Sequence, residues 1–383
     1  MKTIIHATTV HPRGDTRIRV KEVRSLAEEL NANVSLFVMD GLMDEEQDGY
    51  TVHSVGPKLR RQRERLRLGV WRMYRALCNA KPDVVHFHDP ELIPIGMLLK
   101  LRGIQVIYDV HEDVPRQVIN RHGAGPVFKA IIPRVAGVLE SVGARYFDGI
   151  CAATPTIMKK FPKEKTFLLR NFPILEEFSG SAIEDYQSRP PHFTYVGGLV
   201  GVRGTLQMIE AMMHVQTPQA RLQLAGNFAP ESHSIECEAL TGWSKVDFHG
   251  WADRVKISRM LASARAGLVV LQPTKNYPDA LPVKLFEYMA SGLPVISSDF
   301  PLWREIVESS GCGLLVDPES PTAIAEAMDW ILEHPEKAEA MGQRGKRAAE
   351  KLYNWAVEKE MLVTFYNERL DVPLKKKYQK EMS

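Results

Sequence analysis

The chain has 383 residues, of which 44% are hydrophobic and 25% charged; this balance excludes a disordered or fibrous protein and leaves room for two globular domains. Its four cysteines form no CxxC pair, which argues against a zinc ribbon or a disulfide framework and suits a reducing compartment. The net charge of +2 is uneven: residues 1–172 hold 27 Lys/Arg against 19 Asp/Glu and the remainder 22 against 28, so the first half is expected to face something anionic.

The N-terminal MKTIIHATTVHP is too short an apolar run for a signal peptide, and no run approaches the ~20 apolar residues of a membrane span. The expected location is cytoplasmic, with peripheral attachment to the inner face of the cytoplasmic membrane as an option. Strands are predicted over 2–9, 33–39, 50–55, 83–88, 104–110, 147–153 and 166–170, with helices between them. One helix, 17–30, sets Val20, Val23, Ala27 and Leu30 on one side. Such alternation means a parallel sheet covered on both faces, with ligands at the carboxyl ends of its strands. Polar clusters fall at those ends: His11 to Arg17, His86 to Glu91 and His111 to Asp113.

The loop after the first strand, HPRGDTRIR, has one glycine, Gly14, for a sharp turn. It is not GxGxxG, which disfavours a dinucleotide cofactor. Asp15 either caps the next helix or meets a substrate. Arg17 either binds an anion on an acceptor or is a solvated helix residue. Residues 58–77 contain eight Lys/Arg and one Glu. Leu66, Val70, Met73 and Leu77 form a core stripe there, with Leu59, Leu68 and Trp71 off it. Basic residues interleaved with apolar ones suit an anionic membrane surface, and equally a solvated helix face. Nucleic acid is disfavoured because no recognition motif accompanies the charge.

In VVHFHDPELIP, His86 and His88 point the same way from a strand. No third histidine follows at ligand spacing, which favours hydrogen-bonded residues over a metal site. IQVIYDVHEDVP places His111 and Glu112 at another strand end. Val127, Ile131, Val135, Val138 and Val142 mark a long core helix. The polar stretch 176–191 is the candidate linker.

The second half restarts with HFTYVGGLVGVRGTLQMIEAM, a strand, a glycine-rich turn and a helix. Gly197, Gly198, Gly201 and Gly204 let backbone approach a phosphate. Further on, DALPVKLFEYMASGLPVISSD contains a helix opened by Pro282 and closed at Ser291-Gly292, then a buried strand. Leu285, Phe286 and Met289 face the core, and Lys284, Glu287 and Tyr288 lie opposite. Asp279 stands at the helix mouth, where Leu281, Pro282 and Val283 lead to N–H groups able to hold a phosphate. On the residues alone, Glu287 could equally be a surface partner of Lys284.

This last stretch resembles the acidic-x7-acidic signature of the retaining glycosyltransferases with the GT-B fold, in particular family 4. The resemblance implies two facing Rossmann-like domains with parallel sheets and a C-terminal helix crossing back to the first. Their expected extents are 1–175 (with about 365–383), a linker 176–191, and 192–364. It implies transfer of a sugar from a nucleoside-diphosphate donor to a carbohydrate or lipid-linked acceptor, as in cell-envelope polysaccharide or glycolipid synthesis. Retention and independence of metal or other cofactors come with it; no DxD occurs in the sequence. The resemblance assigns Asp279 and Glu287 to the donor's sugar and ribose, although Asp279 stands where Glu is usual. It assigns Arg203 to the diphosphate within the G-R-L-x-x-x-K-G pattern, whose first cation is replaced by Gly198, leaving Lys284 as the nearest substitute. His111 takes the histidine position beside the donor sugar, with Glu112 where Asp is common. Gly14 and Gly250 line the donor, and Arg17, His88 and Glu112 stand on the acceptor side. Rival readings are an epimerase or hydrolase of the same fold and a non-catalytic nucleotide-sugar-binding scaffold.

Overall fold

The computed structural model describes residues 1–111, 126–178, 185–274 and 277–376. Short β-branched and aliphatic runs form strands buried on both faces, as a parallel sheet requires. The first half contributes β1 (Lys2–Ala7), β2 (Ala32–Val38), β3 (Glu45–Gln47), β4 (Tyr50–Ser54), β5 (Val84–Phe87), β6 (Gln105–Val110), β7 (Gly149–Ala152) and β8 (Thr166–Leu168). Their order is β3-β4-β2-β1-β5-β6-β7-β8, parallel except for β3. The edge strand β3 is absent from the sequence reading because EEQ has no apolar alternation. What forms it is the turn at Asp48-Gly49, where both residues have positive φ, as a tight hairpin demands.

The second half contributes β9 (His192–Val196), β10 (Arg221–Ala225), β11 (Val246–Phe248), β12 (Ala266–Val269), β13 (Val295–Ser298) and β14 (Gly313–Val316). Their order is β11-β10-β9-β12-β13-β14, all parallel. Both sheets are doubly wound. Strand order reverses between β1 and β5 in one and between β9 and β12 in the other, and open α/β sheets bind ligands outside the carboxyl ends at such points.

The chain divides into two compact units, Met1–Asn171 with the segment from Ala356 onward, and Phe172–Trp355. The division departs from the sequence reading at two places. The described residues of the polar stretch, 176–178 and 185–191, lie within the second unit: Tyr186 is buried, its hydroxyl donates to the Arg265 carbonyl at 2.7 Å, and the Arg189 and Arg265 guanidinium groups lie 5.0 and 5.3 Å from its ring. The return to the first unit begins near 356, not 365. Within the helix Trp355–Leu370, Tyr366 is fully buried and its hydroxyl lies 2.9 Å from His86 Nδ1.

Three helix faces also differ from expectation. The first helix opens with π-type turns over Thr16–Val23 before continuing as Arg24–Glu29. Wider turns shift which residues face inward, so Arg17, Lys21 and Glu22 are buried while Val20 is only partly so. In the helix Pro126–Tyr146, Val135 and Val138 are exposed, and the face turned inward carries Glu140 and Ala144. Leu66, expected in the core stripe, is exposed; Met73 and Leu77 are buried as expected.

Candidate active site

At the switch point of the second unit, the loop after β9 meets the loop after β12. Gly204 has φ +75°, and a Cβ there would lie 2.1 Å from the Val270 carbonyl oxygen, so only glycine lets the loop pass this close to β12. The tight turn carries Arg203 at the end of the short helical turn Gly201–Arg203. Burial acts to lower its half-buried guanidinium, and the adjoining phenols of Tyr195 and Tyr277 outweigh this and raise it; the Tyr195 hydroxyl donates to the Gly198 carbonyl at 3.2 Å. A Cβ at Gly198 would stand 3.2 Å from Arg203 Nη1. The position where the family pattern has its first cation thus makes room for the second.

Tyr277 opens the turn Tyr277–Asp279, so its phenol beside Arg203 brings the acidic turn next to the glycine loop. The following Ala280 carbonyl accepts from Trp303 Nε1 at 2.7 Å, and Trp303 is fully buried, which fixes the approach to the next helix. That helix is Val283–Ala290, with Pro282 as its cap residue. Leu281, Pro282 and Val283 are partly exposed at its mouth, and Gly292, at φ +68°, ends it in left-handed geometry. Glu287 is partly exposed and ion-paired with Lys284. Lys284, the substitute cation expected from the family pattern, is engaged here by Glu287. Tyr288, expected on the outer face, is fully buried: it lies across Gly267 of β12 and its hydroxyl accepts from the Val196 N–H at 3.1 Å. A helix of two turns beside a sheet buries more than one stripe. Gly250 has φ +61° and its carbonyl accepts from Gly226 N at 2.7 Å; Trp251 beside it is exposed.

At the switch point of the first unit the three polar clusters converge. Asp15 caps the first helix, its Oδ1 accepting from Arg17 N at 2.9 Å and Ile18 N at 3.0 Å. Burial acts to raise its carboxyl, but His11 and these N–H groups prevail and hold it down at about 2. Gly14 has neither a positive φ nor a neighbour where its Cβ would stand, so the turn itself does not demand glycine. Arg17 is neither solvated nor open to an acceptor anion. It is buried, with Nη2 2.8 Å from Asp109 Oδ1 and Nε 3.0 Å from Glu22. His88 is likewise buried, against Asp109 at 3.1 Å and His6 at 3.0 Å. His111 is partly exposed, its Nε2 2.7 Å from Asp109 Oδ2. Glu112 and Asp113 lie outside the described residues.

Sequence reasoning missed Asp109, Glu22 and His6. Asp109 was readable: it sits two residues before His111 on a strand, hence on the same face. Glu22 comes from another element, which local ligand spacing cannot reveal. Glu22, His86, His88 and Asp109 hold donor atoms within 4.8 Å of one another, all buried. The charge there is already occupied, because the Arg17 guanidinium touches both carboxylates and a divalent ion beside it would leave uncompensated positive charge.

Burial, reinforced by neighbouring histidines, pushes the His6 and His86 imidazoles well below their usual range. Burial takes His88 to about 4 against the pull of Asp109. Burial first, then Asp109, raises Glu22 well above the carboxylate range. Below pH ~6.5 the unfolded chain protonates three imidazoles that the folded unit keeps neutral, so stability falls with pH; Glu22, protonated when folded, opposes this by one proton. Three imidazoles held neutral outnumber the one raised carboxyl, so the net effect is a loss of stability as pH falls below ~6.5. Calorimetric unfolding is expected to show the first unit losing stability across that window, and His88→Gln to reduce the slope. A flat profile would place the histidines in water.

A scan against known families matches residues 181–348 to "Glycosyl transferases group 1" and residues 20–164 to "Glycosyl transferase 4-like domain". The D-rhamnosyltransferase WbpZ of Pseudomonas aeruginosa is 24% identical over 318 residues, 80% of this chain and 78% of the relative. Among solved structures, sucrose-phosphate synthase from Thermosynechococcus elongatus superposes with a TM-score of 0.77 at 20% identity, covering 97% of this chain and 100% of that one. HepE of Anabaena, solved in complex with UDP-glucose, gives a TM-score of 0.72 at 15% identity, over 96% and 100%. Both structures share the two-domain GT-B fold with this chain.

Proposed function

The chain belongs to the glycosyl transferases group 1, of the family 4 type, and we propose that it is a retaining, metal-independent glycosyltransferase using a nucleoside-diphosphate-sugar donor. The observation that carries this reading is the proximity of the Arg203 guanidinium to the Tyr277 phenol, which sets a candidate phosphate-binding cation beside the turn holding Asp279, at the switch point of the second sheet. Arg203 would neutralise the diphosphate, Asp279 would address the sugar and Glu287 the ribose. His111 would take the sugar-side role that the family resemblance gives it. The acceptor is a carbohydrate or lipid-linked carbohydrate of the cell envelope, in keeping with the relatedness to a rhamnosyltransferase. Thermal shift across a set of nucleotide-sugars, followed by mass spectrometry with envelope glycolipids, tests it. Transfer that survives EDTA supports the reading; donor binding without turnover, or turnover abolished by EDTA, counts against it.

The same reading includes a peripheral contact with anionic membrane. Lys58, Arg60, Arg61, Arg63 and Arg67 are exposed, and Leu66, Leu68 and Trp71 are exposed among them. Arg65 is instead held by Glu91 at 2.7 Å. Among the described residues no helix is long and apolar enough to cross a membrane. Each basic residue near an anionic surface contributes about 1 kcal/mol. Arg60, Arg61 and Arg63 together changed to Glu are expected to abolish sedimentation with phosphatidylserine or phosphatidylglycerol vesicles while turnover of a soluble acceptor persists. Wild-type protein that ignores such vesicles at low salt leaves the segment a solvated face.

A further inference from the structure

Asp109 is fully buried at the end of β6 and is shared by three side chains from three elements. Arg17 donates from Nη2 to Oδ1 at 2.8 Å and from Nε to Oδ2 at 3.2 Å. His88 Nδ1 and His111 Nε2 lie 3.1 and 2.7 Å from Oδ2. Burial alone would raise this carboxyl; the Arg17 charge, then His111, outweigh it and keep it ionised.

An ionised carboxylate only accepts. Both imidazole nitrogens that face it therefore carry protons, so the 3.3 Å between them is a contact of two donors converging on Oδ2 and not a bond, and the tautomers are fixed outward along the chain of contacts. His88, protonated at Nδ1, keeps a bare Nε2 and accepts from His6 Nδ1 at 3.0 Å. His6 is left with a bare Nε2, and that atom is buried without a hydrogen-bond partner, the one orphan that this assignment requires of these three rings. A lone pair is cheaper to bury unpaired than an N–H is. His111, protonated at Nε2, keeps Nδ1 as its acceptor.

We propose that Asp109 is a positioning residue for His111: it holds the Nε2 proton, so that the imidazole offers Nδ1 as a hydrogen-bond acceptor to a substrate hydroxyl. The proposal rests on the donor reading above for the identity of the hydroxyl. Arg17 supplies the charge that keeps Asp109 ionised. Glu22, 3.0 Å from Arg17 Nε, is the reserve carboxyl that pairs the guanidinium if Asp109 is neutralised. Asp109→Asn is therefore expected to fold.

A double-mutant cycle reads the coupling. Asp109→Asn is expected to lower kcat/KM roughly 10-fold in the wild-type background, the scale of one misplaced hydrogen bond. On top of His111→Ala it should cost under about threefold, since the residue it positions is gone. Equal losses in both backgrounds would make Asp109 merely structural and overturn the proposal. Nitrogen-15 spectra of the imidazoles decide it without turnover. Wild-type His111, identified by its absence in His111→Ala, should be the Nε2–H tautomer at neutral pH and lose that preference in Asp109→Asn. A wild-type Nδ1–H tautomer overturns the proposal, whereas absent turnover with the Nε2–H tautomer overturns only the donor reading.

Discussion

Replacing Arg203 by alanine is expected to lower kcat/KM by ~2–4 kcal/mol, the loss that follows when one donor to developing transition-state charge is removed. The size follows from its setting. In the family pattern two cations share the diphosphate; here Gly198 holds the first place, and Lys284 is paired with Glu287. On the proposed reading Arg203 would carry the leaving-group charge with less help than the family pattern supplies. The Tyr277 phenol lies beside its guanidinium, so Tyr277→Phe should reproduce a smaller part of the loss, under about 1 kcal/mol. Steady-state kinetics with a saturating acceptor measure both. Unchanged kinetics in Arg203→Ala would move the diphosphate elsewhere.

The second large effect separates the two carboxylates. Glu287→Gln keeps the shape and removes the charge, and a charge-assisted bond to a hydroxyl is roughly twice as strong as a neutral one. Free nucleoside diphosphate and nucleotide-sugar should both bind ~10-fold or more weakly, about 1.4 kcal/mol. Asp279→Asn should leave the free nucleotide's affinity intact and reduce turnover of the sugar-bearing donor. Asp279→Glu, which lengthens the side chain by one methylene, is expected to be tolerated. Calorimetry with both ligands on both variants distinguishes the roles. If both variants lose the free nucleotide equally, or neither loses anything, Glu287 is only the partner of Lys284.

The sheets were legible because their strands are short apolar runs bounded by turn residues, and the GT-B resemblance followed from one string, 279–299. The helix faces were less so. Arg17 read as either an acceptor-side anion ligand or a solvated residue, and Glu22 was not singled out; the π-type turns bring both inward. Tyr288 read as outward on a 3.6-residue period, yet Gly267 leaves the hollow that its ring fills. For the site, the glycine loop and the acidic turn were visible separately, but the phenol of Tyr277 that joins them was not. Contacts between residues far apart in sequence have no local period to betray them. Asp109 is the opposite case: its place two residues before His111 was on the page, and the pairing was overlooked.

Proton NMR of the reaction mixture tests the central claim most directly. The purified protein is supplied with the nucleotide-sugars that stabilise it and an envelope glycolipid extract, and the anomeric protons are followed in time. Release of nucleoside diphosphate should accompany an equal amount of glycosylated acceptor whose new linkage has the donor's anomeric configuration. An inverted linkage, free sugar without an acceptor product, or an isomerised donor would contradict the account.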